Sequence, residues 1–597
     1  MAGRQKALWA CVVAALAVAV SWFGFFFFRD NFATHFPLKA LSAISLRSGE
    51  IPWWNFHAGG GQPLAGNPNA LTFYPDTLLY LVLPVHVAFN LHFLLHIAGG
   101  WLAMRALTRS RFAATAYALS GVVISATAFY NLITAVTLIP LALLGAERRS
   151  ARLVGIAFGL MLLAAEPVML VSAALSVAIV AAGRMRLSHL VLAAALAAAI
   201  GAPQILAFSE IAPEVERSYG MSAQTVLNTS LTPLRIGEIF LWPFSGFLND
   251  PGGNRMRLFS TLFLGVIALP ALLQRSRYAA IVAVMLLLAL GRNNPVVSLA
   301  VERVEWLRIM RFPEKFALPA IVALSVLIGA YFQRTAHRRI WIAVTMVPLA
   351  IVAALALPID WFAPYATAAA PGSAGRVLAG STVSGGTMPA REEYRLRAQR
   401  REPLFGALAG LRYVVQRSPD RMHSLLSRIV VDRSRVVPGP YARIALGPDA
   451  RIVPFAAAAN SVDQAVALFE RGQEVAPRAI QSAPARVVAY REHGQTIEID
   501  VETRGPAFLL VNQSFFHAWV ARMGQRELET MPVDVDRLGV VVPSSGRVAL
   551  TFGRNRLAVS ATAALSLLLL AALPLIEKRD RRAGEVERPG DDDRALG

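Results

Sequence analysis

The chain has 597 residues, of which 55% are hydrophobic and 16% charged, and its formal net charge is +20 at pH 7. This composition excludes an ordinary soluble globular protein, and the lone Cys11 excludes an intramolecular disulfide or a cysteine-based metal site. The positive charge comes from short arginine clusters between apolar runs. Because no compact basic domain carries it, a nucleic-acid-binding protein is not expected.

The apolar runs predict about twelve transmembrane helices, since several reach the roughly 20 residues that cross a bilayer. The arginine clusters predict that both termini are cytoplasmic. An uncleaved first span is expected over 7–28, because no small-residue cleavage site follows this long run. The other ten spans of a transmembrane domain, 1–358, are expected over about 77–104, 112–130, 132–147, 153–165, 168–183, 187–208, 258–273, 278–291, 316–332 and 340–358.

Residues 29–76 are expected to form the first outer loop, because the stretch is too polar to span a bilayer. Its aromatic residues, among them Trp53, Trp54 and Tyr74, are of the kind found at the lipid headgroup level. Asp30 follows the apolar run directly, and a carboxylate at the mouth of a membrane bundle is costly unless solvated or used. Two interpretations stay open: a structured loop that walls a site, or an interfacial loop that only packs on the bundle.

Residues 359–556 are predicted to form a large extracytoplasmic domain, because no run in this polar stretch is long enough to span a membrane. A mixed α/β region is expected first and a β-sandwich-like half second, since segments such as 496–501 alternate like strands. A last helix is expected over 557–577. Residues 578–597 are expected to be a disordered cytoplasmic tail.

Several acids on the predicted outer side could carry chemistry, because a carboxylate there could take the proton from an acceptor hydroxyl. Asp30 is the first candidate, and the alternative is that it caps the following helix. Glu166 at a hairpin tip and Glu210 after the seventh span are secondary candidates. For Glu166 the alternative is a solvated turn.

Basic and loop residues complete the set of candidates. Arg311 and Lys315 lie four residues apart, so a helical path would bring both to one face. They could bind a lipid phosphate, or instead snorkel to lipid headgroups. The loop candidates are His35, Trp53, Trp54, Asn55 and Tyr74.

No cofactor is predicted, and a divalent cation has no ligand motif to support it. His92 and His96 have the i,i+4 spacing of a metal pair, but no nearby carboxylate completes a site, so buried hydrogen-bonded histidines are expected. The sequence has no P-loop, no dinucleotide fingerprint and no nucleophile elbow, which argues against a nucleotide-dependent cytoplasmic enzyme.

Several stretches, taken in their order along the chain, resemble the YfhO-type family of bacterial membrane proteins. They are Asp30 with 49–55, 61–64 and 73–75, then 203–206 with Glu210, 289–295, 311–316, 410–415 and 509–519. This resemblance implies the C-type glycosyltransferase architecture, in which polytopic membrane enzymes use a polyprenyl-phosphate-linked sugar donor. The superfamily's catalytic acid lies in the first outer loop, which would place it at Asp30.

The resulting hypothesis is an inverting glycosyltransferase of the bacterial inner membrane that acts on the extracytoplasmic side. Its partners would be the lipid-linked donor, a cell-envelope glycan or lipid acceptor, and membrane lipids. Two alternatives from other classes stay open. One is a transporter or flippase of a lipid-linked glycan, and the other is a non-catalytic scaffold for envelope assembly.

Overall fold

The computed structural model describes residues 15–26, 30–57, 60–215, 221–241, 257–357, 359–361, 376–377, 412–413 and 448–586. Helices dominate the described residues up to 357, and strands dominate from 448 to 552. The helices, in chain order, are α1 Phe36–Arg47, α2 Leu79–Val82, α3 Val85–Thr108, α4 Arg111–Ala118, α5 Gly121–Ala126, α6 Thr134–Glu147, α7 Ala151–Ala164, α8 Pro167–Ala181, α9 Leu187–Ser209, α10 Ala223–Val226, α11 Pro233–Ile236, α12 Ala268–Leu272, α13 Arg277–Ala289, α14 Pro295–Arg303, α15 Ala317–Arg334, α16 Arg338–Ala356, α17 Val462–Glu470 and α18 Arg556–Val586.

Four helical stretches among the described residues are long and apolar enough to cross a membrane: Val85–Thr108, Leu187–Ser209, Pro313–Arg334 and Arg338–Ala356. Five shorter apolar helices of 10–17 residues accompany them. A polytopic membrane fold followed by a β-rich C-terminal domain is therefore confirmed, whereas the count of twelve spans stays a prediction.

Small residues let the membrane helices approach closely. A Cβ atom added at Gly159 of α7 would lie 2.6 Å from Cβ of Ile200 in α9, and one at Gly201 would lie 2.6 Å from Cβ of Leu162. Apolar burial gives little net attraction between helices in lipid, so close backbone packing of this kind is what holds them together.

A helix predicted over 258–273 is largely absent, because only Ala268–Leu272 is helical there. Residues 258–264 instead have no regular structure, and all of them except Ser260 are buried. Their backbone polar groups have partners: the amide of Leu258 donates to Glu314 at 2.9 Å, and the carbonyl of Phe263 accepts from Gly121 at 2.7 Å. Irregular backbone at membrane depth is tolerated where protein surrounds it and satisfies its hydrogen bonds.

Other helix boundaries also differ from the sequence-based ones. The span expected over 112–130 is broken between α4 and α5. The last helix, α18, continues to Val586 and so includes the first residues of the predicted tail. Most of 359–447, where the mixed α/β region is predicted, lies outside the described residues.

The strands, in chain order, begin with six short ones outside the C-terminal sandwich. These are β1 Gly24–Phe26, β2 Trp54–Asn55, β3 Gln62–Pro63, β4 Ile359–Trp361, β5 Arg376–Val377 and β6 Arg412–Tyr413. They are followed by β7 Ala450–Val453, β8 Phe455–Ala458, β9 Val475–Ala476, β10 Ile480–Gln481, β11 Ala485–His493, β12 Thr496–Thr503, β13 Ala507–Ser514, β14 Trp519–Met523, β15 Arg526–Leu528, β16 Thr530–Val533, β17 Arg537–Val542 and β18 Gly546–Phe552.

Residues 448–555, here called the sandwich domain, contain two main antiparallel sheets. One has the strand order β11-β12-β18-β14-β15 and the other β16-β17-β13-β7. Strand β12 alternates between partly exposed and buried residues and points Ile497, Ile499 and Val501 into the core. Every residue of β13 is buried, because this central strand is covered on both faces. The sandwich predicted from the alternating pattern is therefore present.

The first loop completes the core of the sandwich domain. The indole of Trp54 packs against the rings of Trp519 and Phe552, with centroids 4.8 and 4.5 Å away. Its Nε1 donates to Oε1 of Gln513 at 3.0 Å, and its backbone amide donates to Oε1 of Gln495 at 2.6 Å. The loop and the sandwich domain thus share one apolar cluster.

Candidate functional site

Asp30 precedes the π-helical turn Asn31–His35 that leads into α1, and it is partly exposed. Its carboxylate makes no capping hydrogen bond to that turn, so the capping interpretation finds no support. The next residue is fixed in place, because the amide Nδ2 of Asn31 donates to the carbonyl of Phe26 at 3.1 Å and to that of Thr127 at 2.7 Å.

Thr127 begins a connecting segment, 127–131, between α5 and α6 that contacts several predicted site residues. The ring of His35 stacks against that of Tyr130 with centroids 5.9 Å apart. The amide Nδ2 of Asn131 donates to Oε2 of Glu166 at 3.3 Å. The segment therefore gathers the neighbour of Asp30, His35 and Glu166 around one turn of backbone.

Glu166 in turn forms a buried ion pair with Lys315, with 2.8 Å between Oε1 and Nζ. Both side chains are more than nine-tenths buried. The solvated turn considered for Glu166 and the snorkelling considered for Lys315 are therefore wrong. The tip of the α7–α8 hairpin packs instead against the start of α15, where each charge neutralises the other.

Arg311 is partly exposed, in contrast to Lys315. Its guanidinium lies over the ring of Phe312, with 4.2 Å from Cζ to the centroid. Phe312 itself has a φ of +68°, a backbone conformation that is rare for a bulky residue. The helical path predicted through 311–315 is wrong, because helical backbone begins only at Pro313. Both cations still lie over the Phe312 ring, since Nζ of Lys315 is 5.6 Å from its centroid. They differ in that Lys315 is buried against a carboxylate whereas Arg311 is partly exposed.

A second buried ionic cluster surrounds Asp76, at the end of the first loop. Its Oδ2 accepts from Nδ1 of His92 at 2.6 Å and from the hydroxyl of Tyr130. Nε2 of His92 lies 2.7 Å from the carbonyl of Tyr130. The two ring nitrogens of His92 therefore face two oxygen atoms, one of the Asp76 carboxylate and one of the backbone.

Lys39 of α1 supplies a cation to this cluster. Its Nζ donates to the carbonyl of Leu71 and to Oγ1 of Thr77, both at 3.0 Å, and lies 5.2 Å from the ring centroid of Tyr130. Burial lowers the pKa of Lys39 to about 8, against the attraction of Asp76. Burial acts to raise the pKa of Asp76, but Lys39 and His92 together hold that pKa well below its usual range.

Tyr74 and His96 extend the cluster away from Asp30. The hydroxyl of Tyr74 lies 3.2 Å from Nε2 of His96, whose Nδ1 lies 3.2 Å from Oγ1 of Thr137. His92 and His96 are thus buried and hydrogen-bonded, as expected from their place in an apolar span. Within the described residues, no group of three or more potential metal ligands is found.

The remaining loop candidates face the sandwich domain. Trp53 and Trp54 are buried in the apolar cluster that the first loop shares with the sandwich domain, and their place at the headgroup level stays a prediction. The ring of Trp53 lies 5.3 Å from Cζ of Arg556. Asn55 is buried next to Trp54 in strand β2.

Glu210 lies apart from the gathered residues. Its Oε1 accepts from the backbone amide of Asn555 at 2.6 Å, at the start of α18. Glu214, one turn further along, accepts from the backbone amide of His517 at 3.0 Å. Both acids therefore fasten the end of α9 to the sandwich domain.

Sequence reasoning missed Lys39, Asp76, Arg235 and Glu314 as members of buried charge clusters. Glu314 accepts from Nη1 of Arg235 at 2.5 Å and also holds the irregular backbone at Leu258. The sequence did contain one signal for such a cluster: Lys39 is flanked by apolar residues in 36–44. A charge in such a segment indicates a buried partner, since a charge is costly to bury unless paired.

No family model matches this chain, and no curated protein matches it. Among solved structures, it is similar to the arabinofuranosyltransferase AftD from Mycobacteria, with 18% identity and a TM-score of 0.36 over 58% of this chain and 26% of that one. It is also similar to ArnT from Cupriavidus metallidurans bound to undecaprenyl phosphate, with 18% identity and a TM-score of 0.35 over 67% and 74%. Likenesses this low carry no argument, so the YfhO-type assignment stays a prediction.

Proposed function

We propose that this protein is a membrane glycosyltransferase that moves a sugar from a polyprenyl-phosphate-linked donor to a cell-envelope glycan or lipid. The transfer would take place on the extracytoplasmic side of a bacterial inner membrane, with the sandwich domain on that side. The observation that carries this proposal is the place of Asp30. It is a partly exposed carboxylate beside a backbone turn, 127–131, that also holds Glu166 and through it Lys315.

Asp30 would act as the general base. It would take the proton from an acceptor hydroxyl as the hydroxyl oxygen attacks the anomeric carbon, and the lipid phosphate would leave from the opposite face with inversion. A carboxylate suits this role only if it can reach a substrate hydroxyl directly. Two observations favour that role. Asp30 is partly exposed, and its carboxylate makes no capping hydrogen bond to the turn Asn31–His35.

Arg311 would stabilise the departing phosphate, because its guanidinium is partly exposed and suits forked contacts with phosphate oxygens. Lys315 would contribute mainly by holding the start of α15 in place, since Glu166 already neutralises its charge. Glu166 would then be a positioning residue rather than a second base. Glu210 would serve the docking of the sandwich domain.

Asp30→Asn tests the central role, because asparagine keeps the size of the side chain but accepts no proton at neutral pH. The assay is transfer from a polyprenyl-phosphate-linked sugar in membranes, with a thermal stability measurement on the purified full-length protein. We expect turnover to fall about 10²–10⁴-fold with little change in stability. Asp463→Asn, an exposed acid of the sandwich domain, is the matched control and should leave transfer unchanged.

The two rival classes give a different result in the same assay. A flippase or a scaffold has no need of a base at Asp30. Cells that carry Asp30→Asn would then make the same envelope glycans as wild-type cells, in contrast to cells from which the whole protein is deleted. That outcome would remove the transferase proposal.

A further inference from the structure

A cavity of about 260 Å³ lies between the first loop, 29–76, and the sandwich domain, and no residue of the turn 127–131 lines it. Three parts of the chain form its wall: the C-terminal half of α1, the loop that follows α1, and the turn between β11 and β12. The apolar part of the wall includes Leu41, Ile44 and Leu64. The cavity therefore sits where residues far apart in the sequence meet.

The rest of the wall is polar. It includes the hydroxyl of Ser45, the carboxylates of Glu50 and Glu492, and the amides of Asn55 and Gln495. Such a mixture of acceptors, donors and apolar side chains is typical of small-molecule sites, in which a few polar groups orient the ligand. A lipid tail in this cavity would leave these polar groups without hydrogen-bond partners.

Two of these groups have unused hydrogen-bonding capacity. Oδ1 of Asn55 accepts from the backbone amide of His57 at 2.9 Å, which leaves Nδ2 as the donor of that side chain. Among the residues that the structure describes, neither Nδ2 of Asn55 nor Oε2 of Glu50 has a hydrogen-bond partner, and Asn55 is only 3% exposed. A buried polar atom without a partner is costly, so it indicates an occupant that would satisfy it.

The wall is held in shape by direct contacts across the junction. Gln495 accepts from the backbone amide of Trp54 at 2.6 Å and donates to Oγ of Ser45 at 3.1 Å. Gly494 has a φ of +55°, and a Cβ atom there would lie 2.0 Å from Oε2 of Glu50. The turn thus approaches the loop as closely as a glycine permits, which pre-organises the site.

We propose that this cavity binds one uncharged saccharide ring, as a subsite for the acceptor glycan. Each sugar hydroxyl both donates and accepts, so it can pair with the amide of Asn55 and the carboxylate of Glu50 together. The volume is near the low end of small-molecule pockets, roughly 300 Å³, which suits a single ring. The carboxylates of Glu50 and Glu492 disfavour an anionic sugar. The role as acceptor subsite rests on the proposed transferase function.

Direct binding tests the site without any need for transfer. The probes are the methyl glycosides of glucose, galactose, mannose and N-acetylglucosamine, with methyl glucuronide as the anionic contrast. They are offered to the full-length protein in lipid nanodiscs, and saturation-transfer NMR reports contact. We expect millimolar binding of at least one neutral glycoside and at least tenfold weaker binding of the glucuronide.

Two substitutions test whether the glycosides bind in this cavity. Ser48→Trp should fill its mouth, and Glu492→Gln should remove an acceptor from its rim; each should weaken binding at least tenfold. The matched controls are Ser544→Trp and Glu502→Gln, at exposed positions of the sandwich domain, and these should change nothing. Three results would each overturn the proposal: no binding of any neutral glycoside at about 10 mM, a concentration that detects millimolar affinity, equal binding of the glucuronide, or binding that is insensitive to Ser48→Trp.

Asp30→Asn separates this inference from the proposed function. If that variant loses transfer while no neutral glycoside binds the wild-type protein, the transferase stands and the subsite is wrong. If Asp30→Asn transfers sugar normally while glycosides still bind in the cavity, the saccharide site stands and the assignment as an acceptor subsite is lost together with the transferase.

Discussion

Lys315 and Glu166 form an ion pair 2.8 Å long that is buried between α8 and α15. A buried pair contributes little net stability, but the loss of one partner leaves the other charge unpaired away from water. The pair therefore fixes how the start of α15 meets the α7–α8 hairpin tip, and Arg311 lies four residues before Lys315 in the chain.

Lys315→Met should destabilise the protein strongly, by about 3–5 kcal/mol, because Glu166 would then be buried without its cation. The double variant with Glu166→Leu should be more stable than Lys315→Met alone. Thermal unfolding of the purified protein measures both. Arg486→Met is the control, because it breaks an exposed pair with Glu502 and should cost at most about 1 kcal/mol. Equal effects of the buried and exposed changes would contradict this account.

The lowered pKa of Lys39 leads us to expect that the free energy of unfolding rises at alkaline pH. Burial holds its pKa at about 8 in the folded protein, against 10.5 for the free group, so the unfolded chain binds more protons between these values. Stability attributable to Lys39 should therefore grow by about 1.4 kcal/mol for each pH unit from about 8 to about 10.

The measurement for Lys39 is the difference in melting temperature between the wild type and Lys39→Met at pH 7, 8, 9 and 10. This difference should move in favour of the wild type as the pH rises above 8. A difference that stays constant over the whole range would show that Lys39 titrates normally. Both proteins keep Asp76, so its own titration at low pH does not contribute.

Gly61→Ala should loosen the junction between the first loop and the sandwich domain. Gly61 has a φ of +97°, and a Cβ atom there would lie 2.2 Å from Oε1 of Gln513 and 2.6 Å from Nε1 of Trp54. We expect a lower melting temperature and faster proteolysis of the sandwich domain.

Gly49→Ala is the matched control for this change. Gly49 has a similar φ of +79° in the same loop, but no atom lies within 4 Å of the added Cβ. Gly49→Ala should therefore lower the free energy of unfolding only by the cost of backbone strain, on the order of 1 kcal/mol. A Gly61→Ala protein no less stable than Gly49→Ala would mean that the junction tolerates the displacement of Trp54.

Sidedness can be tested with introduced cysteines in a Cys11→Ser background. We expect Ser545→Cys and Ser48→Cys to react with a membrane-impermeant maleimide in intact spheroplasts, because both positions are exposed and the proposed topology puts them on the outer side. A cysteine that replaces Ala583, directly after the basic cluster 578–582, should react only after the membrane is permeabilised. Labelling in the reverse pattern would invert the proposed topology.

Periodicity and hydropathy were sufficient to predict the helical membrane part and the sandwich, since each depends on a pattern within a short window. They failed at 258–264, where an apolar run is buried as irregular backbone. Its hydrogen bonds come from Glu314 and from Gly121, which are remote in sequence. An apolar run shows that a segment is buried, and only its distant partners decide its conformation.

The grouping of the candidate site residues could be predicted only in part, because it also depends on partners that are remote in sequence. His35, Glu166 and Lys315 were selected by residue type and expected side of the membrane, and the turn 127–131 brings them near one another. The pairing of Glu166 with Lys315 joins positions 149 residues apart and has no trace in either local sequence. Lys39 escaped notice because Asp76, the carboxylate that attracts it, lies at the far end of the same loop.

The attachment of Trp54 to the sandwich domain has a consequence for how the protein is made. Its hydrogen-bond partners, Gln495 and Gln513, follow 441 and 459 residues later in the chain. A ribosome adding ~5–20 residues per second therefore leaves this tryptophan without its final surroundings for tens of seconds. During synthesis the indole ring of Trp54 is therefore exposed, and it can contact lipid, a chaperone or another unfolded chain. The first loop can reach its final conformation only after the last strands of the sandwich domain have been made.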